Sequence, residues 1–124
     1  MPVQASASSD VKSNGRDSFE GLRETERLEA LEIADIVRNT SGAVLETGSP
    51  EAIIVTVKNL IERQKDVTGA AALNVVANNL RYQLERLHGR GDIVEAARMS
   101  LELSMLDTAF YTGQLIAYSL ETIK

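Results

Sequence analysis

The run from Asp92 to Lys124 constrains this chain more than any other. Ala96, Met99, Leu103, Leu106, Phe110, Gly113, Ala117 and Leu120 follow one another at steps of three and four. That period marks one face of an α-helix packed along its length against other helices. At 1.5 Å per residue such a helix runs about 45 Å. A second apolar row, Leu101, Met105, Tyr111, Leu115 and Tyr118, falls on other sides of the same helix. A helix with one partner layer has no need of apolar residues on its back. The two rows together predict a helix that is either central to a bundle or shared with a second copy of the chain.

The rest of the chain offers helices to pack against it. Residues 1–16 hold Ser6, Ser8, Ser9, Ser13, Asn14 and Gly15 among few large apolar residues, so they are expected to form a disordered tail. Asp17 and Glu20 have the spacing of a capping box, which opens a helix expected to stop at Thr40-Ser41-Gly42. Phe19, Leu22, Leu28, Leu31, Ile33, Ile36 and Val37 are its apolar set, and Glu24–Arg27 and Asp35–Arg38 are i,i+3 pairs on a solvated face. Ser49-Pro50-Glu51 starts a second helix, with serine as the cap and proline in the first turn. The β-branched run Ile54–Val57 is also compatible with a strand, but the cap and the stripe Ile53, Val57, Leu60, Ile61 favour a helix. A third helix is expected from about Thr68 to His88, with Leu73, Val76, Ala77, Leu80, Leu84 and Leu87 inward and Gly89 as its stop. Asp92 and Glu95 then cap the final helix. The fold class is therefore all-α: an antiparallel four-helix bundle over residues 17–124, with a long C-terminal helix.

Composition narrows function mainly by exclusion. The chain has no cysteine, which removes disulfides and thiolate chemistry and suits a reducing cytoplasm. Its formal charge of −5 argues against nucleic acid as a partner. The uncharged stretch from Thr108 to Leu120 is 13 residues long, short of the roughly 20 that a membrane span needs. No P-loop, G-x-G-x-x-G or Ser–His–acid arrangement is present, so no catalytic residue is assigned, no cofactor is expected and the chain reads as a non-enzyme.

A few residues stand out individually. Glu85 and His88 form an E-x-x-H pair, which in di-metal bundles contributes two ligands. His88 is the sole histidine, so only a dimer could complete such a site, and a role near the helix C-terminus is the simpler reading. Arg81, Arg86, His88 and Arg90 make a small basic end suited to dipole compensation. Arg90-Gly91-Asp92 reads as a turn followed by a cap, and Asn74, Asn78 and Asn79 as a solvated flank. Leu101, Met105, Tyr111, Leu115 and Tyr118 are the candidate protein interface, because tyrosine and leucine on a helix back suit contact with a partner.

The reading that follows is a small helical protein that acts by binding itself and another protein, as a regulator, adaptor or chaperone. The Ser-rich leader, the helical body and the amphipathic helix Asp92–Lys124 also resemble the axial subunits of flagellar and type III secretion systems. That resemblance covers about a quarter of the chain and rests on pattern; it implies a subunit or chaperone of an export apparatus.

Overall fold

The computed structural model describes residues 23–88 and 92–123. They form four helices: α1 (Glu24–Thr47), α2 (Glu51–Arg63), α3 (Val67–His88) and α4 (Ile93–Ile123). The all-α bundle read from the sequence is what is observed. The expected tail, the Asp17/Glu20 box and the Gly89-Arg90-Gly91 connection lie outside the described residues.

The first helix continues eight residues beyond the expected stop at Asn39 and ends at Gly48, whose φ of 76° closes it in the left-handed conformation. Thr40 and Ser41 do not break it because both face inward and both have partners. Thr40 and Thr56 of α2 share a buried hydrogen bond of 2.6 Å, and Ser41 Oγ lies 3.0 Å from the Arg38 carbonyl. Gly42 faces open space. The inward stripe of α1 is Ala30, Ile33, Val37, Thr40 and Ser41. Leu28 and Leu31, expected in the core set, are about half exposed, since at 100° per residue they fall on the far side and flank of that stripe.

The start of α2 differs in detail. Pro50 takes helical dihedrals just ahead of Glu51, and Ser49 Oγ donates to the Glu51 carboxylate instead of capping a backbone N–H. That bond, with one from the Glu51 backbone, holds the Glu51 carboxyl below its ordinary range. The α2–α3 turn is very tight. A Cβ at buried Gly69 would land on the Arg63 carbonyl, so only glycine lets α3 start this close to the end of α2. Asp66 caps α3 by accepting from the Gly69 N–H at 2.7 Å, and Asp92 caps α4 by accepting from the Glu95 N–H at 3.1 Å.

In the packing, α1 and α4 each touch all the other helices, whereas α2 and α3, consecutive in sequence, scarcely meet. The central pair is thus α1/α4, with α2 on one side and α3 on the other. Ile33, Val37, Leu60, Leu73, Val76, Met105 and Leu106 form the fully enclosed centre. Because α4 is central, it has neighbours on several sides, which explains why its apolar residues surround its circumference.

Among the described residues, one charged group lies inside. Glu102 of α4 is 2% exposed, and its Oε2 accepts from Ser41 Oγ at 3.0 Å and from Arg98 Nη1 at 2.5 Å. Arg98 also pairs with Glu95 one turn earlier. The Glu95 hydrogen bond holds the Arg98 guanidinium above its ordinary value; burial opposes this, and Glu102 adds to it. At the other end, Arg63 spans Glu29 at 2.8 Å and Glu32 at 3.0 Å, tying the end of α2 to α1.

Candidate interaction surface

The feature that sets this bundle apart is where α4 leaves it. Gln64, in the α2–α3 turn, lies across α4 and donates from Nε2 to the Ala109 carbonyl. A Cβ at Gly113 would strike that same carboxamide, so glycine is what allows Gln64 to close over the helix here. Among the described residues, Ala109 is the last fully buried one of α4. Gln114, Leu115, Ile116 and Ala117 are then exposed in succession. Four successive residues cover every side of a helix, so this stretch has left the core altogether. Yet Tyr111 is 67% exposed, Leu115 66% and Ile116 46%.

Beside this stretch runs an apolar groove of about 480 Å³ between the end of α2, the start of α3 and α4. Ile61, Phe110, Ala70, Gly113 and Ala117 line it, with Lys65. The Phe110 and Tyr111 rings meet edge to face, with centroids 6.1 Å apart. Exposed apolar side chains gathered beside an apolar groove are what a partner surface requires.

The structure divides the five residues of the expected interface. Tyr111 and Leu115 face solvent. Met105 is buried in the centre and Leu101 packs against it, a correction that follows from the central position of α4, whose back is covered by the chain's own helices. The Tyr118 side chain lies outside the described residues. Ile116, not singled out from the sequence, joins the exposed set and lines the groove. The inward seam also shifts: Phe110 is 37% exposed, and Ala109 takes the enclosed place beside it.

The remaining candidates are scattered. Glu85 is exposed, and the His88 side chain lies outside the described residues. Among the described residues no three His, Asp or Glu side chains are grouped as metal ligands. Arg81 pairs with Asp107 of α4 at 2.7 Å, and Arg86 lies over the Tyr82 ring at 5.4 Å. Asn74 and Asn78 are solvated. Among the described residues no helix is long and apolar enough to cross a membrane. No protein-family model matches the chain, and comparisons with the curated proteins and with the solved structures find no significant match.

Proposed function

We propose that this protein is a non-enzymatic helical module that works by binding protein: a second copy of itself and, as a regulator, adaptor or chaperone, another protein. The observation that carries the reading is the emergence of α4 from the bundle with Tyr111, Leu115 and Ile116 exposed beside an apolar groove. Apolar surface of this kind lowers the free energy when a partner covers it. A two-fold axis would let the same patch cover itself in a second copy. The reading sets this activity in the cytoplasm, in keeping with a chain free of cysteine.

Light scattering at two concentrations tenfold apart tests it. The expected result is a dimer or larger species, reduced to monomer by Leu115→Glu, a change at a side chain with no part in the core. A monomer at both concentrations, or an unchanged mass in the variant, overturns self-association through this surface.

A subunit or chaperone of a flagellar or type III-like export apparatus is the second reading. It is favoured by the same feature, a last helix whose residues 114–117 are all exposed. Under it, the amides of residues 114–123 exchange freely with solvent in the isolated protein at any concentration. Under self-association their protection rises with concentration.

A further inference from the structure

The groove beside Gln64 lies level with the point where the chain enters α1. Thr40 meets Thr56 and Glu29 meets Arg63, so α1 and α2 run antiparallel. Ser41 meets Glu102, and Gln64, which follows Arg63, meets Ala109, so α1 and α4 run antiparallel too, with Glu29 roughly level with Ala109. Arg23 stands six residues ahead of Glu29, about 9 Å along the axis. The same step past Ala109 falls between Gly113 and Ala117, both of which line the groove. At Arg23 the backbone is extended, with φ −66° and ψ 162°, so the chain turns off the axis of α1 there.

Twenty-two residues precede Arg23, and the last six of them suit the groove. Phe19 is the one aromatic residue of that stretch; Leu22 follows three positions later, and Asp17 and Glu20 flank Phe19. Four residues of extended chain reach at most about 14 Å, and packed helices lie about 8–10 Å apart, so Phe19 reaches α2 and α4 from Arg23. The groove lining is mainly apolar, and its one charged residue is Lys65. The partner of that ammonium is Glu62 at 3.2 Å, in an exposed pair that water screens. An acidic segment therefore meets a cation there that it can take over at little cost.

We propose that residues 17–22 of the same chain fill this groove, with Phe19 seated on Ile61, Phe110 and Ala117 and with Asp17 and Glu20 turned to Lys65. The contact goes beyond self-association and leaves room for it. At about 100° per residue, Gly113, Gln114 and Ala117 lie within about 60° of Phe110 around α4, whereas Tyr111 and Leu115 stand roughly 100° and 140° away. The groove and the Tyr111–Leu115 face are thus different sides of the helix. One is covered by the chain itself and the other by a second copy.

The chain has no cysteine, so an introduced pair of thiols reports alone. The full chain carrying Ser18→Cys and Ala117→Cys is oxidised with glutathione disulfide in dilute solution, and the closed monomer is read by intact mass. Closure is expected at least tenfold faster than for Ser18→Cys with Ile54→Cys, an exposed position about 15 Å further along α2 than Gln64. Adding Phe19→Ser is expected to slow closure about tenfold. Adding Leu115→Glu is expected to leave closure unchanged, and Phe19→Ser to leave the light-scattering mass unchanged, so failure here and failure of self-association are told apart. Equal closure of the two pairs, closure indifferent to Phe19→Ser, or a disulfide that joins two chains overturns the proposal. If circular dichroism shows that Ala117→Cys disturbs the fold, the Ile61 and Ile116 methyl signals of the otherwise unaltered chain decide: Phe19→Ser is expected to shift both, and unchanged signals overturn the proposal.

Discussion

Among single residues, the largest energetic consequence belongs to Arg98. Its side chain is 15% exposed and its partner Glu102 is 2% exposed. Removing the cation leaves a carboxylate enclosed with only a serine hydroxyl to hold it, so Arg98→Met is expected to cost about 3–5 kcal/mol by urea unfolding. Arg63 makes an instructive contrast. It too touches two carboxylates, but Glu32 is 60% exposed, so water already screens that pair. Such bridges contribute about 0–1 kcal/mol each. The Arg98 group was also the hardest part to read from sequence. Met99, Glu102, Leu106 and Ala109 keep the three-four spacing, so the acid occupies a core position in register. What the spacing could not show is that Ser41, 61 residues away, is its partner.

Within the elements, the first helix gives the clearest lesson about stop signals. Thr40-Ser41-Gly42 has the composition of a terminator, yet α1 passes through it, because tertiary partners satisfy the two hydroxyls. Gly42 is then an ordinary mid-helix glycine in open space, and Gly48 is the true cap. The two should respond in opposite directions. Gly42→Ala is expected to stabilise the protein by about 0.5–1 kcal/mol through helix propensity. Gly48→Ala is expected to cost about 1 kcal/mol, because alanine pays for a positive φ that glycine does not. Paired urea titrations read both, and equal signs would contradict the assigned boundary. The start of α3 was legible to within a residue, about Thr68 expected and Val67 observed, because the leucine–valine stripe that follows acts locally; the Asp66 cap on Gly69 was not read from the sequence.

For the whole molecule, the sequence made plain that α4 has too many apolar rows for one partner layer. The first of the two expectations, a central helix, holds for its inner part. Leu101 and Met105 are covered from within, and Tyr111 and Leu115 are left outside. The division point depends on Gln64 reaching α4 from a turn 45 residues earlier in sequence, which no local pattern encodes. Acid should weaken the assembly of these parts in a defined direction. The Glu24, Glu26 and Glu51 carboxyls are all held below their ordinary range, Glu24 by Arg27, Glu26 by Arg23 and Glu51 by Ser49. A carboxylate with a lower pKa in the folded state stabilises that state above its unfolded pKa, and loses the effect as pH falls through the folded one. The thermal midpoint is therefore expected to hold from pH 7 to 5 and to decline below about 4.5; a midpoint that rises on acidification would contradict these pairings.

The α1/α4 pair has a kinetic counterpart. Hairpins α1–α2 and α3–α4 close through short connections and can form early, but the Ser41–Glu102 contact joins positions 61 residues apart. Closing so long a loop costs more entropy than closing either short connection. The two hairpins are therefore expected to form before the pair that unites them, with docking as the slow event in refolding and Glu102 entering the interior together with its partner on α1.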